Sequence, residues 1–426
     1  MTNQNLPRFK RLAKEGSWIV IGQIMSVAAS LVLVRVLTEH LNPAQYGQLA
    51  LGLTVAGLVS QVVMGGIGNA ISRFYSIAAE KQDLHGYLRA SRRLMIYATV
   101  AVLVIGLVLM GGLFWLRYTH WLGLAAAALV FSLLGAYNAS LSGIQNAARQ
   151  RAVVAFHGGL DGWLKILLAV GVMLWLGNSS TAVVIGYACS SLVVTGSQFI
   201  FLRRLIKHQS KPSGADNQWM RQMWAFLWPF LATNAFGWAQ QSSARWALEI
   251  YTTTESVGLY SVLSQLGYTP IQTVTGFVMT FLTPILFART GDANCTERNK
   301  NVRELTNKLA MLGLSLTGCA FIVAMLLHSY IFKLFVNSKY LLVSQYLPYL
   351  VLSGGIFAVA QLYAIRLQAL FMMDKLVSSG IIISLFGVFL SFFGIRIAGV
   401  LGAVTGSLIF SASYLILMWY WFFKKS

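Results

Sequence analysis

Charged residues are scarce in this chain, and their scarcity excludes an ordinary soluble protein. Asp, Glu, Lys and Arg together make up 10% of the 426 residues, against about 25% in a typical soluble domain. Hydrophobic residues make up 57%. Apolar stretches of about twenty residues, the length that crosses ~30 Å of hydrocarbon, recur along the whole chain. The composition therefore predicts a polytopic membrane protein.

Cysteine and histidine are also rare, and their spacing excludes a disulfide framework and a metal cluster. The three cysteines, Cys189, Cys295 and Cys319, are far apart, and the six histidines are isolated from one another. We therefore expect no metal and no cofactor. The basic N-terminus lacks a small-residue cleavage site after its apolar run, so the first helix is expected to remain.

No apolar stretch alternates as the strands of a membrane barrel do, so each span is predicted to be a helix that satisfies its own backbone hydrogen bonds. The predicted fold class is an all-α polytopic membrane protein, with twelve transmembrane helices in two six-helix bundles around a central cavity. The predicted spans are 17–38, 46–71, 94–116, 121–146, 157–177, 181–202, 223–247, 257–287, 308–330, 346–370, 376–395 and 398–422.

The basic residues show how these spans are oriented. A net charge of +20 could indicate a nucleic-acid partner, but the basic residues concentrate in every second loop, so no nucleic acid is expected. The opposite loops hold only Arg117, Lys333, Lys339 and Arg396. Because cytoplasmic loops are enriched in Lys and Arg, both termini are predicted to lie in the cytoplasm.

The chain divides into two halves at a polar, basic joint. We predict an N-terminal six-helix bundle at 1–202, a cytoplasmic linker at 203–222 and a C-terminal six-helix bundle at 223–426. The halves show a weak internal repeat. Arg35 precedes Gly47 by 12 residues, as Arg245 precedes Gly258 by 13, and each glycine opens the following span. Repeats of the same orientation are related by an axis along the membrane normal.

Polar side chains form stripes at helical spacing on four of the predicted spans. These stripes avoid lipid, so they face either neighbouring helices or a wet cavity. One interpretation is that they hydrogen-bond across helices and hold them together. The other is a polar cavity between the halves, which is favoured because the stripes recur in spans 1 and 2 and in spans 7 and 8. The predicted cavity-lining residues are Gln23, Gln61, Asn234, Gln241, Gln265 and Gln272.

Two stretches carry a family resemblance. RVLTEHLNPAQYGQLAL at 35–51 and MGGIGNAISRFYS at 64–76 resemble the Wzx-type polysaccharide transporters. These belong to a superfamily that includes the lipid II flippase and the multidrug and toxin extruders. The resemblance implies a six-plus-six bundle with helices 1, 2, 7 and 8 around the cavity, and no catalytic motif.

The function implied by this resemblance is transport rather than catalysis. Such proteins move undecaprenyl-diphosphate-linked oligosaccharides from the cytoplasmic to the periplasmic leaflet of the bacterial inner membrane. The products are surface polysaccharides: O-antigen of lipopolysaccharide, capsule or exopolysaccharide. The implied partners are the lipid-linked substrate, the bilayer, and polysaccharide polymerase and chain-length regulator proteins.

Charged residues inside the spans are candidates for binding the diphosphate. Lys165 lies about 12 Å into its span at 1.5 Å per residue, and Asp161 lies one turn before it. The two could form an ion pair, or Lys165 could meet the diphosphate while Asp161 couples transport to a proton or ion. Arg35, Arg245 and Arg366 are further candidates, although each lies near a helix end, from which a long cation can reach the interface.

Two other functions fit the sequence less well. A multidrug or cation antiporter of the extruder type needs intramembrane carboxylates, and Asp161 is the only clear one inside the predicted spans. A membrane-bound glycan polymerase or ligase needs a substantial periplasmic loop, and the predicted outer loops are short. Transport of a lipid-linked glycan is therefore the leading hypothesis.

Overall fold

The computed structural model describes residues 8–206, 216–291, 295–370 and 372–424. Residues 207–215, the middle of the predicted linker 203–222, lie outside this part of the chain. The α-helices are α1 (Arg8–His40), α2 (Pro43–Gly57), α3 (Gly65–Glu80), α4 (Leu84–Trp115), α5 (Leu122–Ala147), α6 (Arg151–Leu176), α7 (Ser180–Ile206), α8 (Asp216–Tyr251), α9 (Thr254–Gly267), α10 (Thr269–Thr290), α11 (Thr296–Phe335), α12 (Leu347–Ala369) and α13 (Met373–Lys424). A π-helical turn, Leu58–Val63, joins α2 to α3, and 3₁₀ turns occupy Thr119–Trp121 and Ser338–Tyr346.

The all-α polytopic fold class is confirmed. Within the described ranges, ten helical stretches are long and apolar enough to cross a membrane, and no strand occurs. One of them, α13, contains non-helical backbone at Ala398 and Gly399, where Gly399 has φ +55°. A positive φ favours glycine, and this break falls at the start of the predicted span 398–422, close to its predicted boundary with 376–395. The predicted span 223–247 lies within α8. This helix is not among the ten because its polar residues lower its mean hydropathy.

Apolar side chains cover much of the outer surface, as expected where hydrocarbon replaces water. Trp175 on α6 is 91% exposed, and Leu326 on α11 is 77% exposed. Large apolar side chains this exposed are unusual on soluble proteins when they form continuous patches. On long apolar helices they are the surface that lipid chains contact.

The helices pack into two compact units that exchange a segment of chain. The first unit comprises residues up to Leu33 together with Gly52–Trp238. The second comprises Val34–Leu51 and the chain from Ala239 onward. The end of α1 and the start of α2 thus pack with the C-terminal helices, while the first part of α8 packs with the N-terminal ones. The predicted division into 1–202 and 223–426 describes order along the chain and remains a prediction.

In the first unit, the start of α4 is tied to both α3 and α8. Asp83 caps α4 by accepting a hydrogen bond from the Gly86 N–H at 3.0 Å, as a carboxylate at an N-cap commonly does. Its other oxygen accepts from Trp219 Nε1 at 2.8 Å. The buried Tyr87 hydroxyl donates to the Ile71 carbonyl at 2.6 Å. This end of the unit is therefore held by hydrogen bonds between helices.

In the second unit, the starts of α2 and α9 cross at two buried glycines. A methyl group on Gly47 would overlap the carbonyl oxygen of Thr254, and one on Gly258 would overlap the carbonyl oxygen of Pro43. Each carbonyl lies four residues before the opposite glycine, so the contact is reciprocal. The two glycines that the weak repeat paired in the sequence therefore pack against each other, with a backbone approach that only glycine allows.

Each repeat also has an interrupted helix shortly after its glycine. In the first, the π-helical turn starts at Leu58, eleven residues after Gly47. In the second, the helix breaks at Tyr268, ten residues after Gly258, and Pro270 is the second residue of α10. The structure therefore divides the predicted span 257–287 into α9 and α10. Such interruptions release backbone groups from the regular helical pattern and often lie at functional positions.

Candidate functional site

A polar pocket lies between α5, α6 and α7 inside the first unit. Its volume is about 260 Å³. Since a water molecule occupies about 30 Å³ of liquid, the pocket has room for roughly nine waters or a phosphate group, but not for an oligosaccharide. Its lining residues are Phe131, Gly135, Asn138, Ala139, Ser142, His157, Gly158, Asp161, Lys165, Ser191 and Gln198.

Three titratable side chains of α6 enter this pocket from one helix face. His157, Asp161 and Lys165 are separated by four residues each, so they stack on successive turns. The sequence predicted the Asp161–Lys165 part of this stripe but missed His157. The same four-residue spacing was the signal that could have found it.

Asp161 is the centre of the pocket's hydrogen bonding. The Lys165 ammonium lies 2.5 Å from Asp161 Oδ2, and the two side chains are 23% and 18% exposed. Ser190 of α7 donates to Asp161 Oδ1 at 3.3 Å. The Lys165 ammonium also lies 5.4 Å from the centre of the Phe131 ring. The predicted ion pair is therefore present, and a largely buried pair of this kind is costly to break by removing one partner.

His157 is buried and held at both ring nitrogens. Nδ1 lies 2.7 Å from the Val153 carbonyl oxygen, so this nitrogen carries a proton. Nε2 lies 3.0 Å from the Ser197 hydroxyl, which can donate to a neutral ring or accept from a charged one. The imidazole can therefore hold either protonation state without losing a partner.

The remaining wall of the pocket offers unused polar atoms. Gln198 donates through Nε2 to Asn138 Oδ1, and to Ser142 Oγ at 3.0 Å. Its Oε1 and the Ser191 hydroxyl are buried without a hydrogen-bond partner in the described chain. Because buried polar atoms are nearly always paired in proteins, these two atoms mark positions where water or a polar ligand binds.

Arg245 is a second cation inside the predicted spans, and its guanidinium is incompletely hydrogen-bonded. It lies in α8 within the second unit, half-buried, and its electrostatic neighbours are Tyr46 and Tyr260. Its Nε is buried and has no hydrogen-bond partner among the described residues. A guanidinium in this state is able to bind an anion.

Arg35 and Arg366, by contrast, are bound to the ends of other helices. Arg35 pairs with Glu39 at 2.7 Å and donates to the Val336 carbonyl, just past α11, at 2.9 Å. Arg366 is 2% exposed, donates to the Phe422 carbonyl at 3.0 Å, and stacks 4.3 Å from the Phe422 ring. Both satisfy carbonyls at helix C-termini. Their predicted contact with a diphosphate remains a prediction.

Two residues of the predicted polar stripes hold helices of the first unit together. Asn234 Nδ2 of α8 donates to the Gln61 carbonyl in the π-helical turn at 2.9 Å. One turn later, Trp238 Nε1 donates to the Thr54 carbonyl at 2.9 Å. Side-chain donors from α8 thus bind carbonyls in α2 and in the π-helical turn, and for Asn234 the interhelical interpretation accounts for its presence.

Of the other residues of the predicted polar stripes, two make hydrogen bonds that the structure describes. Gln272 donates to the Gly354 carbonyl at 3.1 Å, and Gln265 Oε1 accepts from Thr269 at 3.4 Å. Gln241 is exposed and Gln23 half-buried. A central cavity lined by these residues remains a prediction.

The Asn234 contact can be tested by stability. Asn234→Leu roughly keeps the volume of the side chain but removes the donor to Gln61. It is expected to cost about 0.6 kcal/mol, the average for interhelical hydrogen bonds in membrane proteins. Thermal unfolding in detergent measures the effect. The control is Gln218→Leu, at an exposed position nearer the start of the same helix. An equal loss of stability for both variants contradicts this role for Asn234.

In the part of the chain that the structure describes, no cluster of three His, Cys, Asp or Glu residues could hold a metal ion. The expected absence of a metal and a cofactor stays a prediction. The pocket chemistry available from the described side chains is hydrogen bonding, ion pairing and proton transfer.

Solved structures show which fold the chain shares. Lipid II flippase MurJ in an inward closed conformation matches with a TM-score of 0.71 at 11% identity, over 96% of this chain and 87% of that one. The Vibrio cholerae MATE transporter VcmN matches with a TM-score of 0.63 at 16% identity, over 97% and 96%. A MOP superfamily transporter from Pyrococcus furiosus matches with a TM-score of 0.62 at 16% identity, over 96% and 95%. At these identities the likeness shows the fold.

Family membership comes from the sequence. No curated protein matches the chain significantly. The family model described as polysaccharide biosynthesis protein matches residues 12–289, which is more than half of the chain and includes both stretches that carried the resemblance. The resemblance to the Wzx-type transporters and their superfamily is thereby confirmed, and the chain belongs to the polysaccharide biosynthesis protein family.

Proposed function

We propose that this protein is a flippase for undecaprenyl-diphosphate-linked oligosaccharide, carrying repeat units from the cytoplasmic to the periplasmic leaflet of the inner membrane. Both termini lie in the cytoplasm in this proposal, and the product is a surface polysaccharide. The observation that carries it is the intramembrane pocket with the Lys165–Asp161 pair, in a chain of the polysaccharide biosynthesis family.

The substrate's diphosphate is the part that needs this pocket. An anion that leaves water for the membrane requires fixed cations and hydrogen-bond donors in place of its hydration. Lys165 supplies the cation, and the hydroxyl of Ser191 supplies an unused donor. The pocket is too small for the glycan, so the sugars lie outside it while the phosphate is held.

Asp161 controls whether Lys165 is available. While ionised, Asp161 neutralises the ammonium at 2.5 Å. Protonation of Asp161 leaves Lys165 as a free cation, so anion binding and protonation of Asp161 favour each other by linkage. A proton then enters the pocket with the substrate and leaves when the pair re-forms.

Arg245 is the second cation of this proposal, in the other unit. Arg35 and Arg366 already donate hydrogen bonds to backbone carbonyls, whereas Arg245 donates none among the described residues, so Arg245 is better suited to an arriving phosphate. The proposal treats the protein as a transporter, not an enzyme. Polymerase and chain-length regulator partners remain predictions.

The test is transport in a defined membrane. Purified protein in phosphatidylcholine vesicles is given a fluorescent undecaprenyl-diphosphate-linked disaccharide, and its transfer between leaflets is followed by a membrane-impermeant quencher. We expect protein-dependent transfer and, in a deletion strain, accumulation of lipid-linked oligosaccharide in the cytoplasmic leaflet. Efflux of a cationic dye without lipid-linked transfer would instead support a multidrug antiporter.

A further inference from the structure

The two ends of α13 meet at one end of the second unit. The break in this helix divides it into two halves, 373–397 and 400–424. Far from the break, Trp421 Nε1 of the second half donates to Ser379 Oγ of the first half at 3.0 Å. Because Ser379 is buried, this hydrogen bond fixes the indole ring between the beginning and the end of α13.

Two lysines lie close to the fixed indole, one from each half. Lys375 Nζ is 4.8 Å from the centre of the Trp421 ring, and Lys424 Nζ is 5.4 Å from it. A cation is attracted to a tryptophan ring at distances up to about 6 Å. Lys424 Nζ also donates to the Tyr420 hydroxyl at 2.8 Å. The aromatic side chains thereby hold two ammonium groups near each other despite their repulsion.

Neither ammonium group is neutralised by an acid. Among the described residues, no carboxylate lies within 4 Å of Lys375 or Lys424, and both side chains are exposed. Each ammonium has three N–H donors, and in the described chain only the bond from Lys424 to Tyr420 uses one of them. The other donors are left for solvent or for an anion, and phosphate oxygens are strong acceptors for an ammonium group.

Two further cations add to the positive charge of this end. Arg366 and Arg303 lie 4.3 Å and 4.6 Å from the centres of the two rings that follow Trp421 in the sequence. Arg366 is buried and already donates to a backbone carbonyl, so it contributes charge rather than a contact. The acids next to these cations in the sequence are Asp374 and Glu304. Four cations against two carboxylates leave a positive field that attracts anions.

Exposed apolar side chains lead away from each lysine. They share a helix face with it, at successive spacings of three, four or seven residues. They are Ile382, Phe386, Phe389 and Phe393 after Lys375, and Tyr420, Ile416 and Ile409 before Lys424. Such side chains on long apolar helices contact lipid chains. Tryptophan and tyrosine beside them are typical of the membrane–water interface, which is where a phospholipid carries its phosphate.

We propose that this end of α13 binds an anionic phospholipid of the bilayer, with its phosphate at Lys375 and Lys424 and its acyl chains along the exposed apolar side chains. A lipid with two chains covers both apolar faces, whereas a prenyl phosphate has one chain. A zwitterionic lipid brings its own cation to the lysines, which disfavours it. The occupant is a lipid of the surrounding membrane and not the transported substrate, so this site is independent of the proposed function.

The test compares two photoreactive lipids in vesicles that contain the full-length protein. Phosphatidylglycerol and phosphatidylcholine carry the same diazirine-bearing acyl chain, each as a trace in unlabelled phosphatidylcholine. At 382–393 and 409–420 we expect phosphatidylglycerol to label at least about tenfold more than phosphatidylcholine, equivalent to 1.4 kcal/mol, because each basic residue at the interface strengthens binding of an anionic lipid. The Lys375→Gln, Lys424→Gln double variant should label equally with both lipids.

Two control variants separate charge from structure. Lys375→Arg with Lys424→Arg keeps both charges and should keep the preference for phosphatidylglycerol. Lys333→Gln with Lys339→Gln removes two exposed lysines at and just after the end of α11, and should leave the preference unchanged. All the substituted side chains are exposed, so thermal unfolding in phosphatidylcholine vesicles should match the wild type.

Equal labelling of the wild-type protein by both lipids would overturn the proposal, and so would a preference that survives the Gln double variant. Competition identifies the ligand. Unlabelled phosphatidylglycerol should reduce the labelling, and inorganic phosphate should not. Stronger competition by undecaprenyl diphosphate than by phosphatidylglycerol would show a substrate site instead and contradict the proposal. Labelling requires no transport, so none of these outcomes depends on whether the protein is a flippase.

Discussion

Lys165→Met is expected to slow transfer of the lipid-linked substrate by roughly ten- to a hundredfold at unchanged abundance in the membrane. Hydrogen bonds to charged groups contribute about 1.5–3 kcal/mol, and a contact made at the rate-limiting step changes the rate by the corresponding factor. Lys165→Arg keeps the charge and should retain part of the activity. Complementation of a deletion strain and transfer in vesicles are the two measurements.

The ion pair requires a further control, because Lys165→Met also leaves the carboxylate of Asp161 unpaired. Removing one partner of a buried pair costs about 3–5 kcal/mol, so loss of activity could follow from loss of fold. The double variant Asp161→Asn, Lys165→Met removes the uncompensated charge. If Lys165 contacts the diphosphate, the double variant folds and stays slow. Recovery of wild-type transfer by the double variant would show that the lysine serves only the pair.

Asp161→Asn and Arg245→Gln complete the series. Asp161→Asn frees Lys165 permanently, so we expect a milder defect than for Lys165→Met together with a weaker dependence of transfer on pH. Arg245→Gln should lose activity while Arg245→Lys retains some of it. Full activity of the Lys165→Met, Arg245→Gln double variant would show that the diphosphate is bound elsewhere.

The second large effect is expected at the glycine crossing of α2 and α9. Gly258→Ala places a methyl group against the carbonyl oxygen of Pro43, where backbone rather than a flexible side chain must move. Overpacking commonly costs about 1–3 kcal/mol and at times more, and a backbone clash belongs at the upper end. We expect a destabilisation of about 3 kcal/mol, measured as thermal unfolding in detergent, with several-fold lower abundance in the membrane.

The matched control is Gly380→Ala on α13, where a methyl group meets nothing within 4 Å. Alanine is favoured over glycine inside a helix by about 1 kcal/mol, so this variant should be as stable as the wild type or more so. Gly47→Ala repeats the clash from the other side. Because both methyl groups push the same two helices apart, the double variant should cost less than the sum of the single costs. Strict additivity would contradict a shared crossing.

The sequence predicted the helices well because the length of an apolar run is a local property of the sequence. The twelve predicted spans lie mainly on helices, although 46–71 and 257–287 are each interrupted. The break at Ala398 and Gly399 falls at the start of the last predicted span, within a few residues of the predicted boundary. The segment exchange between units was not predictable, because it depends on which helices contact each other after folding. The π-helical turn at Leu58–Val63 was missed as well, since no residue pattern marks it.

The pocket was predicted in part for the same reason. Asp161 and Lys165 are neighbours on one helix, so their spacing reveals the pair. Ser190 and Gln198 come from α7, and only packing brings them to α6. Arg35 illustrates the limit most clearly, because its acceptor at Val336 lies 301 residues away in the sequence, and no local pattern links the two.

The exchanged segment has a consequence for how the protein is made. Residues Val34–Leu51 leave the ribosome early, but the rest of their unit begins only at Ala239. At about 5–20 residues per second, synthesis of the intervening chain takes roughly 10–40 s. During that interval Gly258 has not yet been synthesised, so the start of α2 lies in the membrane without the helix that later packs against it. Assembly of this protein is therefore completed from the C-terminal side, after the N-terminal helices have already been inserted.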